Sequence, residues 1–450
     1  MSRELMLRVC RDGVRLLPGL FAHGLGVCLL NIIIAGNLPM EEYADFVWLW
    51  TAITWANVLF CGWIHTAALR DLPGVPAKLP DFIAMLKACS IIQLVALTPL
   101  CICAANVVRI QDSLLAAVLA SLFATHASIQ VFLRAMFRLP QFSINAVFVA
   151  VAIPTGVWVS VTSFSPTITV SILSLICVFV VAIGGQIWQL KSQLADSARR
   201  VTHRNTILGE SLQYGLPIAI GHFLILFLMG GDRYLLPLFN VRQSEIAIYC
   251  FWMIMGFQVG RLVISVCFKV VNPRLFELHA KDPISAIRTT RRFTILYVVF
   301  VPPLLAISGL IFPRVVAILG VEPAYVEKSY YIWFPTCSMF LFGLAQLCAK
   351  PLEFEKRSVD LLVASVCAGG GLLIFALMMA KTEQVIMMAC CGPAAFLTYL
   401  IVICILVWRM PIETSARSVL PDRSFLQGLS RISSIALRRV SNRMQGPRMP

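Results

Sequence analysis

Charge is scarce in this chain. Only 13% of its 450 residues are Asp, Glu, Lys or Arg, while 59% are hydrophobic. That leaves too little polar surface for a water-soluble particle, so lipid must be the solvent for most of the chain. Catalytic furniture is lacking too. No nucleophile with its base, Gly-rich phosphate loop, paired carboxylates or Cys/His ligand cluster occurs at useful spacing, which argues against an enzyme, a metal centre and a cofactor. The 15 cysteines lie mostly inside apolar runs, with Cys390 and Cys391 adjacent, and form neither a zinc pattern nor a disulfide framework. The opening MSRELMLRVCRDGVR has no short apolar core with a small-residue cleavage site. It reads as an uncleaved basic anchor rather than a signal peptide.

What is present is a succession of apolar runs. A helix needs about 20 apolar residues to cross the hydrocarbon core. Hydropathy and charge spacing predict spans at 14–36, 44–66, 82–106, 113–134, 143–163, 167–190, 212–236, 246–270, 293–319, 329–349, 359–380 and 384–408. The expected fold is an all-α polytopic membrane protein of about 12 transmembrane helices.

The net charge of +15 raises nucleic acid as a partner, but Lys and Arg are also retained on the cytoplasmic side of membrane proteins. Their distribution decides against nucleic acid. Arg109, Arg233, Arg242, Lys328 and Lys381 fall outside, Arg261 and Arg314 within spans, and the others at inner segments. Both termini are therefore predicted to be cytoplasmic. Every loop on the outer side is short, so no catalytic domain can be built there.

The polar stretch after Leu190, KSQLADSARRVTHRNT, separates two sets of six helices. The expected organisation is an N-terminal lobe (1–190), a linker (191–211), a C-terminal lobe (212–408) and a basic tail (409–450). Pro18 and His23 in the first lobe recur as Pro217 and His222 in the second, five residues apart each time. Six helices is an even number, so the lobes would be related by a pseudo-two-fold along the membrane normal, with a cleft between them. In the tail, Phe425, Leu429, Ile432, Ala436 and Val440 recur every three or four residues among arginines. Two readings remain open, a surface helix on anionic inner-leaflet lipid and a disordered basic segment.

Charge inside a membrane is costly and normally faces protein or water. Arg261 lies about fifteen residues into its span, too deep to reach a headgroup. Arg314, beside Pro313, reads as an interfacial anchor. Three stripes at four-residue steps share helix faces: Arg15, Gly19, His23 and Asn31; Thr54, Asn57, Cys61 and His65; and His126, Gln130 and Arg134. Together they suggest a basic, inward-facing cavity. The substrate-site candidates are Arg261, Arg15, His23, His65, Arg134, His126 and His222. Asp232-Arg233, at the outer end of span seven, reads as a pair of interface charges.

Several short patterns resemble one family. Gly36-Asn37-Leu38-Pro39-Met40-Glu41-Glu42-Tyr43-Ala44 and Leu69-Arg70 are similar to the amino-terminal pattern of Wzx-type polysaccharide flippases. In the second lobe, Tyr214-Gly215-Leu216-Pro217, Gly231-Asp232-Arg233-Tyr234-Leu235-Leu236, Ile248-Tyr249 and Asn272-Pro273-Arg274-Leu275-Phe276 resemble further landmarks of that family in the same order. Ala44 and Pro237 stand where that family usually has glycine. The resemblance implies membership of the multidrug, oligosaccharidyl-lipid and polysaccharide exporter superfamily, with Glu42, Tyr43, Arg70, Asp232 and Arg233 as family-motif residues. It implies transfer of an undecaprenyl-pyrophosphate-linked oligosaccharide repeat across a bacterial inner membrane by alternating access, for surface polysaccharide biosynthesis. A polysaccharide polymerase and export machinery would be its partners. The competing reading is an ion-coupled multidrug exporter of the same superfamily. Asp45 and Asp232 lie near outer ends, where they favour it little. A membrane glycan polymerase or ligase ranks below both, for want of a large outer loop.

Overall fold

The computed structural model describes residues 3–72, 79–103, 110–136, 138–197, 204–239, 241–355, 357–379 and 385–410. Twelve long helices are present among them. They are α1 (Arg3–Asn37), α2 (Met40–Asp71), α3 (Leu79–Cys103), α4 (Ile110–Ala135), α5 (Leu139–Ser163), α6 (Ile168–Ser197), α7 (Arg204–Gly230), α8 (Gln243–Lys281), α9 (Pro283–Ile318), α10 (Trp333–Cys348), α11 (Ser358–Met379) and α12 (Val385–Trp408). Nine stretches among the described residues are long and apolar enough to cross a membrane. The chain is a multi-pass, all-helical membrane protein.

The helices fall where the apolar runs place them, but several are longer. The polar stretch read as a linker is helical up to Ser197 and again from Arg204, and 271–292, read as a polar loop, continues α8 and opens α9. A helix already nucleated in the membrane adds one hydrogen bond for each residue it fixes, so it propagates without an apolar face. Only Asp282 separates α8 from α9. Its carboxylate accepts a hydrogen bond from the Ser285 amide at 3.0 Å, and Pro283 occupies the first turn, where no N–H is needed. The Ser285 side chain first, and then this amide, hold the exposed Asp282 carboxyl below its ordinary pKa.

Helix pairings repeat with a period of six. The pairs α1·α5, α2·α3, α2·α4, α3·α4, α4·α6 and α5·α6 recur as α7·α11, α8·α9, α8·α10, α9·α10, α10·α12 and α11·α12. Between the lobes, α1 packs on α8 and α2 on α7, which the same six-helix shift exchanges, and α2 also meets α8. Small residues permit these crossings. A Cβ on Gly215 would collide with the Trp63 carbonyl across α2·α7, and one on Gly26 would lie 2.6 Å from the Ala150 carbonyl across α1·α5.

We call the end where α1 begins basal and the other distal. One hydrophobic cluster runs through both lobes distally, from Cys28, Tyr43 and Ile225 to Tyr249, Phe251, Tyr325 and Ala389. Basally the core divides. Leu16, Leu133 and Leu190 centre one cluster in the first lobe, Ile64, Phe82 and Phe132 a second that Ala219 of α7 joins from the other lobe, and Leu275, Ala286 and Phe354 a third in the second lobe. One cluster thus fuses the lobes distally; basally they touch across α2·α7, where Ala219 and Gly215 meet Gly62 and Trp63, and the cleft expected from the repeat would open beside that crossing.

Candidate functional site: a basic cleft between the lobes

A helix turns about 100° per residue, and the faces of α1 follow from its neighbours. Gly19 and Gly26 meet Ser143 and Ala150 of α5, and Gly24 meets Leu262 of α8. Val14, Phe21, Leu25 and Leu29 are exposed on the opposite, lipid-facing side. His23 is exposed between the α5 and α8 faces. It therefore looks into the cleft. In α7, Gly215 and Ala219 face α2 while Gly221 faces Ser365 of α11, and Leu216 and Ile220 are exposed on the outer side. His222 is again exposed between the two packed faces. The repeated Pro-His spacing thus puts two histidines in equivalent places.

Arg261 lies on α8 between Gly260, which packs on Met339, and Leu262, which packs on Gly24. It is exposed although it sits eighteen residues from the start of a 39-residue helix. Hydrocarbon would not tolerate that side chain, so its exposure is to the cleft. His65 on α2 hydrogen-bonds Ser128 of α4 at 2.6 Å and lies within electrostatic reach of Arg134 and of His222 in the other lobe. His23, His222 and Arg261 are thus exposed between packed helix faces, and His65 lies within electrostatic reach of Arg134 and His222.

Two candidates belong elsewhere. His126 faces α6, where its Nδ1 meets Gln186 Nε2 at 3.0 Å and its ring packs on Phe179. Arg15 lines a groove of about 530 Å³ between α1 and α5 with Val14, Pro18, Pro140 and Phe148, turned toward the lipid-facing side. The stripe reading failed geometrically. A four-residue step overshoots a full turn by about 40°, so Arg15 and Asn31 end up on different faces of α1.

The family-motif residues gather at the distal end. Glu42 accepts the Ile168 amide at 3.0 Å and so caps α6, and the Tyr43 hydroxyl donates to Asn31 Oδ1 at 2.5 Å. Asp232 and Arg233 are 2% and 5% exposed, which corrects their reading as interface charges. The Tyr249 hydroxyl donates to the Asp232 carboxylate, and Arg233 Nη1 donates to Thr51 Oγ1 at 3.3 Å. Arg70 lies in the last turn of α2 with its side chain outside the described residues, as is the tail from 411.

One group went unread in the sequence. Lys350 is 1% exposed, pairs with Glu353 at 2.5 Å, and sits 5.9 and 5.7 Å from the Phe268 and Phe276 ring centroids. Glu353 in turn lies within electrostatic reach of His222 and Tyr399. The Lys-Pro-Leu-Glu spacing was the available signal, hidden because Lys350 falls just past the end of a predicted span, where a cation reads as an ordinary retention charge.

This architecture, two lobes repeating one six-helix plan around a cleft, is the fold of the MATE transporters of the MOP superfamily. The MATE multidrug transporter DinF-BH superposes with a TM-score of 0.62 at 12% identity, over 90% of this chain and 95% of that one. An inward-facing multidrug resistance MATE family transporter gives 0.57 at 11% identity, over 92% and 95%. A MOP superfamily transporter from Pyrococcus furiosus, whose binding pocket is described as reversed in polarity, gives 0.55 at 11% identity, over 97% and 99%. No protein-family profile and no curated relative matches the chain. Identities this low establish the fold alone.

Proposed function

We propose that this chain is a transporter, not an enzyme, that carries an undecaprenyl-pyrophosphate-linked oligosaccharide repeat from the inner to the outer leaflet of a bacterial inner membrane, with both termini cytoplasmic. Its lobes alternate access to the cleft. The observation that carries this reading is Arg261, a mid-span guanidinium exposed between the lobes, with His23 on α1, which packs on α8. A pyrophosphate leaving water needs fixed cations to replace its hydration, and a guanidinium supplies paired donors for phosphate oxygens. The glycan takes the polar cleft while the prenyl chain stays in lipid.

The fold does not choose the substrate, since one neighbour's pocket is described as reversed in polarity. The arginine at mid-span supports the pyrophosphate reading. An inside-negative potential favours outward movement of a diphosphate by about 2.3 kcal/mol per charge per 100 mV. A polysaccharide polymerase with its export machinery is the proposed consumer of the product. Glu353, within reach of His222, is the one observation favouring the second reading, an ion-coupled exporter of small molecules.

Export of lipid-linked repeats in a strain carrying Arg261→Ala, at wild-type protein levels, tests the proposal. Loss of export with partial activity in Arg261→Lys is expected, because a point charge still binds phosphate without the bidentate fork. Wild-type export by Arg261→Ala would reject it. Vesicles that move a cationic dye but no lipid-linked repeat would establish the second reading instead.

A further inference from the structure

The distal closure contains one arrangement twice. In the first lobe Tyr43 of α2 hydrogen-bonds Asn31 near the end of α1, and Asn31 Nδ2 donates at 3.5 Å to the Phe251 carbonyl of α8 in the other lobe. In the second lobe Tyr249 of α8 hydrogen-bonds Asp232, just past the end of α7, and the adjoining Arg233 donates to Thr51 of α2 across the interface. The six-helix shift converts each set into the other. α1 becomes α7, α2 becomes α8, and the cross-lobe bond changes direction.

We infer that these two sets are paired clasps forming the distal gate of the cleft, each locking the first helix of one lobe onto the second helix of the other. Between them lie Phe251 and Tyr325, their ring centroids 5.0 Å apart, with Tyr43 edge-on to Tyr325 at 6.0 Å. Tyr43, Tyr249 and Phe251 are fully buried, so water does not pass in this state. The closure is also imperfectly bonded. Buried Arg233 Nε, Trp48 Nε1 and the Tyr325 hydroxyl have no hydrogen-bond partner among the described residues. A buried donor left unpaired costs free energy that hydration on opening returns. The same end is also bridged by the Tyr234 hydroxyl donating to the Trp48 carbonyl at 2.7 Å and by Gln243 Nε2 donating to the Glu41 carbonyl and Asp45 Oδ1. A closure made of such discrete bonds and opposed by unpaired buried donors is suited to two discrete states.

The inference rests on the exporter reading only in requiring the lobes to part distally. Spin labels on ketone amino acids at Gly36 and Glu327, exposed distal positions in opposite lobes, leave the 15 cysteines untouched. Their separation is measured in lipid nanodiscs without substrate. Asn31→Ala and Tyr249→Phe should each raise the long-distance population about 5-fold, the factor one ordinary hydrogen bond carries. Tyr297→Phe removes a hydroxyl that bonds the Phe340 carbonyl within one lobe, and should leave the distances unchanged. Wild-type distances in folded, monodisperse Asn31→Ala and Tyr249→Phe overturn the proposal. A shift in only one of them, or an equal shift in Tyr297→Phe, overturns it as well. None of these outcomes touches the Arg261 export test.

Discussion

A cation buried between two phenylalanine rings needs an opposite charge beside it, and for Lys350 that partner is Glu353. Glu353→Gln strands the cation in a nearly dry site, where losing one member of a buried pair typically costs about 3–5 kcal/mol. Glu353 keeps some solvent contact, which puts the expected loss at the lower end of that range. Thermal unfolding in detergent should show a fall of several degrees for Glu353→Gln and recovery of most of it in Lys350→Met/Glu353→Gln. A double variant no better than the single one would show that the pair does not act as a unit. The residue scale also shows what sequence reading can reach. Pro18 with His23 and Pro217 with His222 were legible because helix spacing fixes both members of each pair. Tyr43 with Asn31, and Arg233 with Thr51, were not, because these contacts depend on how separate helices cross.

At the scale of elements, the junction of α8 and α9 depends on one side chain. The Asp282 carboxylate is held below its ordinary pKa by the Ser285 side chain and then its amide, so the charged cap contributes fully above the unfolded carboxylate's pKa. It is lost as pH falls through the lower, folded value. Hydrogen exchange at 283–286 should therefore quicken on acidification through that range, and Asp282→Asn should flatten the response. Unchanged pH dependence in that variant would assign the response elsewhere. The α2·α7 crossing makes a second demand, since Gly215 lies against the Trp63 carbonyl. Gly215→Val should lower thermal stability by about 1–3 kcal/mol through overpacking, whereas the same change at Gly370, where no neighbour lies within 4 Å, should not. Equal losses at both positions would point to the helices' own propensities. The spans were readable from hydropathy; the lengths of α6, α7, α8 and α9 were not, because the bilayer limits the apolar run and not the hydrogen-bonded helix.

At the scale of the whole molecule, the six-helix repeat was visible in two proline–histidine pairs, but the fused distal core and divided basal core were not. Both ends use the same apolar residue types, and only packing tells them apart. The unbroken run of α8 from Gln243 to Lys281 joins the two regions mechanically. Tyr249 of the distal clasp and Arg261 of the cleft stand on this one rod, twelve residues or about 18 Å apart along its axis. A rod that long does not compress, so if the clasps act as a gate, a rigid shift of α8 that opens them also moves Arg261. Thermodynamic reciprocity then sets their exchange rate: whatever factor a ligand at Arg261 applies to the distal opening, opening applies the same factor to the ligand's affinity.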